Sequence, residues 1–184
     1  MTSTQLGARR WRLRNPNSSG APLVFLIVGA RPGAWKVLVP ARPNGATGWV
    51  RNADVDVQVD SYSLRASLHR HVLSVFRGDV RVRDYPIGVG RPSAPTPTGT
   101  FFLTELLQAT QPNGPYGPYA YGTSAFSDVY SEFEGGPGQI GMHGTNEPSS
   151  IGRNVSHGCI RLHVHDIVAL AHEIPAGTPI TIVR

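Results

Sequence analysis

Cys159 is the only cysteine of the chain, and it lies in "SHGCIRLHVH", residues 156–165, which also holds three of the seven histidines. Four kinds of chemistry compete for this stretch. A lone cysteine is often a buried structural thiol, because free Cys packs as a small hydrophobe. His143, His157, Cys159, His163 and His165 could instead gather round a metal, and His163-x-His165 would share one face of a strand. No hard carboxylate ligand accompanies them and the spacing matches no metal motif, so no metal is expected. Ser156 beside His157 offers a serine nucleophile, but neighbours on an extended strand point to opposite faces. Ser156 reads better as a hydrogen-bonding support.

The remaining reading is a Cys–His nucleophile. A free thiol titrates near 8.5, so an adjacent imidazole is needed to generate thiolate at neutral pH. Two bases are open on the residues alone. His157 precedes Cys159 by two, with Gly158 allowing a sharp turn between them. His143, in "IGMHGTN", is more distant but reachable from an adjacent strand. Gly158 has a further use, since it lets the amides of Gly158 and Cys159 approach a substrate carbonyl and hold an oxyanion.

The elements that must position these groups are short. The chain is 184 residues long, 40% hydrophobic, with 21 Gly and 16 Pro. That composition supports a real core and many short strands rather than a helical bundle. Residues 1–57 read as strands with tight connections: "LVFLIV", "WKVLVP" and "WVRNADVDV", separated by "ARPGA" and "ARPNGATG". W-x-V-x-x-P followed by N-G-x-x-G-W-V resembles a small SH3-like barrel. Extra strands on the main domain are the alternative. A transition is expected near residue 58. "SLRASLHRHVLSVFRGDVRVRDYPIGVG" reads as two or three alternating strands carrying Leu68, Val72 and Val75, with "RGD" as a hairpin turn. "QATQPNGPYGPYAYGTSAF" reads as a long loop, the kind that is usually functional. Residues 166–174, "DIVALAHEI", are the helix candidate, with Asp166 as cap and "PAG" as terminator. "TPITIVR" closes as a strand.

Charge and length exclude several classes. The net charge is +5, from 16 Arg and the single Lys36 against 12 acidic residues, with a pI of about 9.9. Yet no Lys or Arg occurs between Arg91 and Arg153, where the charges are Glu105, Asp128, Glu132, Glu134 and Glu147. Without a basic stripe interleaved with aromatics, nucleic acid is not an expected partner. One cysteine excludes an internal disulfide and any Cys-only zinc site. The apolar run in "RRWRLRNPNSSGAPLVFLIVGA" is about eight residues, too short to span a bilayer, and reads as a buried strand rather than an export signal. An exported form would have lost its signal ahead of this numbering.

"MHGTN" followed by "SHGCIRL" resembles the signature of the L,D-transpeptidase catalytic domain, also called the YkuD domain, and "RPSAPTPTGTF" resembles that family's upstream P-T-P-x-G-x-F segment. The matches fall in the family's order over about residues 60–184. "YGPYAYGTSAFSDV" and "GGPGQIGMHGTN" look like an actinobacterial-type branch. The resemblance implies a mainly β fold: a YkuD-type catalytic domain over 58–184 with a short C-terminal helix, preceded by the small SH3-like region of 1–57. It also implies an acyltransferase of peptidoglycan synthesis, acting in cell-wall biogenesis and cell shape without a cofactor.

By that resemblance Cys159 attacks the meso-diaminopimelyl–D-alanine bond of a donor stem tetrapeptide. D-Alanine leaves, a thioester forms, and an amine of a second stem resolves it to a 3→3 cross-link. Water as acceptor would make the enzyme an L,D-carboxypeptidase or another cell-wall cysteine peptidase. His143 becomes the general base and the Gly144 carbonyl orients it. Gly158 and Cys159 amides form the oxyanion hole. His157 and Ser156 are supports, and Arg161 supports the site or meets a substrate carboxylate. Tyr116, Tyr119, Tyr121 and Phe126 are candidates to pack on the stem peptide, and "LHVH" is left as strand. Peptidoglycan stem peptides are the implied partners, carbapenem β-lactams the covalent inhibitors, and an extracytoplasmic wall compartment the location.

Overall fold

The computed structural model describes residues 11–184; the part of the expected 1–57 region in residues 1–10 lies outside them. Three antiparallel strands come first: β1 (Leu26–Arg31), β2 (Ala34–Leu38) and β3 (Thr47–Arg51). They make a sheet of their own in the order β1-β2-β3. β1 starts later than "PLVFLIV" suggests, and it is not a buried strand: Ile27 and Val28 are 37% and 46% exposed. It is an outer strand with one hydrogen-bonded neighbour. A sheet this small cannot cover both of its faces.

The rest of the described chain builds an eight-stranded sheet. Its strands in chain order are β4 (Tyr62–Ser67), β5 (Val72–Arg77), β6 (Val80–Pro86), the two-residue β7 (Val89–Gly90), which pairs elsewhere, and β8 (Gly99–Gln108). Then follow β9 (Tyr119–Phe126), β10 (Gln139–Gly144), β11 (Asn154–Ser156), which pairs with β7, and β12 (Ile160–Leu162). The helix α1 (Val164–Glu173) and the strand β13 (Pro179–Val183) complete the chain. The spatial order is β12-β10-β9-β8-β13-β4-β5-β6. β10/β12 and β13/β4 run parallel, and the other neighbours are antiparallel.

Alternation places the core. Leu64 and Ala66 of β4, Leu73 and Val75 of β5, and Ile180 and Ile182 of β13 are all buried. Val72 is only half-buried: three residues from Val75, it falls on the opposite face of the strand. The Gly78–Asp79 turn of "RGD" joins β5 to β6, with Gly78 at φ +59. β8 is buried continuously from Phe101 to Glu105, because both of its faces are covered. Asn17 from the amino-terminal region donates to Glu105 at 2.7 Å.

Two expectations about the carboxyl-terminal third need correction. "LHVH" is not strand: the strand ends at Leu162, His163 caps the helix, and His165 lies in its first turn. The rings of His163 and His165 stack at 5.4 Å. Nor is Asp166 the cap. It sits three residues after His163, buried, 3.1 Å from the His165 ring, where an acidic group suits the first turn. The segment read as one loop over 108–126 is a ten-residue connection followed by β9. Its prolines stop at Pro118, and "YAYGTSAF", Gly122 included, is a central strand of the sheet.

Candidate active site

β10 delivers His143 and β12 follows directly from Cys159, so the parallel pairing of these strands sets the imidazole beside the thiol. His143 lies opposite Arg161 in the register, and Met142 opposite Ile160. Both strands are anchored by fully buried apolar side chains: Ile140 and Met142 on one, Ile160 and Leu162 on the other.

Gly141 is the residue on which the pair converges. Its amide donates to Cys159 Sγ at 3.3 Å. A Cβ built at Gly141 would lie 3.7 Å from Cys159 Sγ and 3.7 Å from His143 Cδ2. The absence of a side chain there is the gap that thiol and imidazole share. Sequence reasoning missed Gly141; its signal was a glycine two before the histidine on the same strand, hence on the same face.

The ring nitrogens are distinguishable. His143 Nδ1 lies 2.6 Å from the Gly144 carbonyl oxygen, which can only accept, so Nδ1 carries the hydrogen. Nε2, bonded to the Cδ2 that faces the Gly141 gap, is then the basic nitrogen. His143 is 4% exposed, and burial pulls its pKa down to about 4, with the Gly144 hydrogen bond opposing and Arg161 reinforcing the fall. Burial pushes the Cys159 thiol above its ordinary value, against the Gly141 amide and Arg161. Both shifts favour the uncharged forms, thiol and imidazole.

The loop before the thiol is braced from inside. Ser156, buried, donates to the Cys159 carbonyl at 2.6 Å and accepts from the Gly158 amide at 3.1 Å. The Gly158 amide, expected in the oxyanion hole, is therefore bonded to a hydroxyl here. Thr96 donates to the Gly158 carbonyl at 2.8 Å and accepts from Gly90 N–H at 2.9 Å. Thr96 belongs to the "PTPTGTF" segment, but nothing in its sequence position announced this contact. Gly158 has φ +122, a backbone conformation that favours glycine, and a Cβ there would also press on the end of the Ile140 side chain, 2.8 Å from Cδ1.

Around the thiol, Ser127, Tyr130, Phe133, Gln139 and His157 line a narrow pocket with Cys159. His157 is exposed and flanked by Phe133 and Tyr130, with ring centroids at 5.2 and 6.0 Å. Arg161 pairs with Glu147 at 2.8 Å rather than standing open. Arg91 donates to the Tyr130 hydroxyl at 3.0 Å. The cation-free stretch of 92–152 therefore acquires its cations from outside, from Arg91, Arg161 and Arg42.

The four aromatic candidates separate. Tyr116 sets its ring edge-on to His143 at 4.8 Å, and its hydroxyl donates to Glu134 across the cleft. Burial and that carboxylate hold the Tyr116 phenol well above its ordinary pKa. Tyr121 is no substrate contact: it is fully buried, and its hydroxyl donates to the Leu170 and Ile174 carbonyls at 2.9 and 2.7 Å. Both carbonyls lie at the helix end, where the Leu170 oxygen also accepts from the Ile174 amide at 2.8 Å, and serving them gives a tyrosine a reason to sit in the core. Phe126 is likewise buried, with the Arg42 guanidinium 5.2 Å from its ring. Tyr119 packs edge-on to His172 at 6.2 Å.

A sequence model described as the L,D-transpeptidase catalytic domain, YkuD, matches residues 61–182. The putative L,D-transpeptidase YkuD of Bacillus licheniformis is 35% identical over 156 residues, covering 85% of this chain and 84% of its own. Its namesake in Bacillus subtilis is 37% identical over 123 residues, covering 67% of this chain and 66% of that one. Among solved structures, the L,D-transpeptidase LdtMt1 in complex with imipenem superimposes with a TM-score of 0.51 at 22% identity. It covers 88% of this chain and 77% of the other, and so shares the fold.

Proposed function

The chain belongs to the L,D-transpeptidase family of enzymes, and on that premise we propose that Cys159 carries the acyl group from a donor peptidoglycan stem peptide to an acceptor amine. The observation that carries this reading is the gap at Gly141, 3.7 Å from both the thiol sulfur and the imidazole Cδ2. A reacting carbonyl placed there meets nucleophile and base together.

The neutral resting pair sets the order of events. As Sγ bonds to the carbonyl carbon of the diaminopimelyl–D-alanine bond, its proton passes to His143 Nε2. The Cys159 amide faces the developing oxyanion, since the Gly158 amide is committed to Ser156. Collapse of the tetrahedral adduct breaks the C–N bond, and Nε2 returns the proton to the departing D-alanine amine, leaving a thioester. The acceptor amine then attacks that carbon, giving its proton to Nε2. Sγ leaves and recovers the proton, and the product is a 3→3 cross-linked pair. The Gly144 carbonyl holds the imidazole in one tautomer throughout.

The same thiol is suited to opening a β-lactam, and imipenem, named with LdtMt1, is the probe of choice. A stem-peptide substrate argues for action on the wall side of the cytoplasmic membrane.

Incubation with purified disaccharide-tetrapeptide, followed by mass spectrometry of protein and products, tests the reading. Loss of D-alanine, a protein adduct on Cys159 and a cross-linked dimer are expected. Cys159→Ala should lose adduct, dimer and imipenem labelling together. Imipenem labelling that persists in Cys159→Ala would overturn the assignment of the nucleophile. Hydrolysed tripeptide without dimer would replace the amine acceptor with water.

A further inference from the structure

The segment 127–138, between β9 and β10, gives Ser127, Tyr130 and Phe133 to the pocket that holds Cys159. It contains no strand of the main sheet. Local bonds shape it: Ser127 N–H donates to the Gly138 carbonyl at 2.8 Å, the Ser127 hydroxyl accepts from the Val129 and Tyr130 amides, and Phe133 and Gly136 exchange a pair of backbone bonds, while Arg91 and Tyr116 reach only its side chains, at Tyr130 and Glu134. Its position in space is fixed from elsewhere.

Arg42, in the loop between β2 and β3, donates to three carbonyls of this segment. Nη1 reaches the Ser127 oxygen at 2.6 Å, and Nη2 reaches those of Tyr130 at 2.8 Å and Pro137 at 3.2 Å. Two of these residues line the pocket. Asn44 holds the point where the segment leaves β9: its Oδ1 accepts from Phe126 N–H at 2.8 Å and its Nδ2 donates to the Phe126 carbonyl at 2.7 Å. One side-chain amide thus pairs with a backbone as a neighbouring strand would. There is no slack: at Gly138 a Cβ would lie 2.2 Å from the Tyr130 oxygen and 3.0 Å from Arg42 Nη2. A planar charged fork suits three convergent carbonyls in a way a lysine ammonium does not.

We propose that Arg42 and Asn44 are positioning residues for the substrate-facing wall of the Cys159 pocket, so that the amino-terminal three-stranded sheet is a working part of the site. Neither side chain touches the thiol or the imidazole. They act through the backbone of 127–138 on where Tyr130 and Phe133 stand. The proposal rests on Cys159 as the reacting group, as assigned above, and is indifferent to the acceptor.

The test uses the full chain with Arg42→Ala, Asn44→Ala, the double variant and Arg42→Lys. Hydrogen exchange reads the wall directly, whatever the substrate proves to be. In the double variant the amides of 127–138 should exchange at least about tenfold faster, while those of 140–144 and 160–162 keep the parent rates. Iodoacetamide, small enough to need no wall, should alkylate Cys159 within about threefold of the parent rate. The KM for disaccharide-tetrapeptide, or the half-saturating concentration of imipenem, should rise about tenfold or more with the limiting rate little changed. Arg42→Lys should recover part of that rise. Unchanged exchange in 127–138, or an unchanged KM alongside faster exchange, would overturn the proposal. So would a uniform acceleration of exchange through β10 and β12 with parallel loss of alkylation, the signature of general destabilisation. A parent that alkylates normally but neither turns over nor acylates would refute the assigned substrate, while the exchange measurement still decides the wall.

Discussion

On one side of the Cys159 pocket, residues 140–144 and 156–162 are held by neighbours in their own sheet and by Ser156 and Thr96. On the other, the backbone of residues 127–138 is held by the Arg42 side chain, 85 to 95 positions away in sequence, with Arg91 and Tyr116 reaching its Tyr130 and Glu134 side chains. The first side is buried and leaves its thiol and imidazole one arrangement. The second is polar, largely exposed and held by a handful of removable contacts. On the proposed function, the chemistry sits on the buried side and the substrate meets the exposed one. Local opening is cheapest where few buried contacts resist it, so loss of the Arg42 and Asn44 contacts should loosen 127–138 without disturbing the catalytic pair.

The sharpest way to break this contrast is at the base. His143→Ala should slow acylation by imipenem about 10² to 10⁴-fold, with His165→Ala within about twofold of the parent. Equal small losses in stopped-flow acylation would put the base elsewhere. Next in size is the pH dependence of stability. His143 titrates at about 4 in the folded chain against 6.5 when free. Between those values the unfolded chain binds the proton more readily, so stability is complete above about pH 6.5 and falls as pH drops toward 4. The loss is on the order of 3 kcal/mol. Chemical denaturation at pH 7, 5.5 and 4 should show it, and His143→Gln should flatten that part of the profile.

Thr96→Val sharpens the rigid side alone. It keeps the shape but strands the Gly158 carbonyl and the Gly90 amide, costing about 1 to 3 kcal/mol. Calorimetry should register the loss, and acylation should slow through the displaced loop rather than through the imidazole. Glu134→Gln probes the other wall and should do least. The acceptor for Tyr116 is kept and only a surface charge goes, so acylation should change by less than about threefold at physiological salt. A tenfold effect there would show that the exposed wall takes part in the chemistry, and would erase the contrast.

Sequence legibility followed the same division. "SHGC" and "MHGT" showed a thiol, two candidate imidazoles and their glycines because the requirement is local, and it was the family resemblance that chose His143 over His157. The hairpin at Gly78 and the closing strand were readable from alternation and turn residues for the same reason. Arg42 and Asn44 were not readable, since nothing in "ARPNG" distinguishes a loop exposed to water from one that grips a segment 82 to 95 residues downstream. Tyr121 misled through its company: among Gly, Pro and Tyr it resembled a substrate loop, whereas its hydroxyl serves two helix carbonyls. The Gly158 amide misled differently, because only the fold shows that Ser156 already occupies it.

The position of β13 has a consequence for how the protein is made. It lies between β8 and β4, bonded to both, yet it follows every other described element in the chain. During synthesis from the amino end, the hairpins of β4–β6 and the block of β8–β12 can each assemble, but the main sheet stays open between β8 and β4 until residues 179–183 arrive. Cys159 is therefore already polymerised before the sheet that shelters it can close. Closure of the main sheet in each newly made chain waits for a strand that begins twenty residues after the nucleophile.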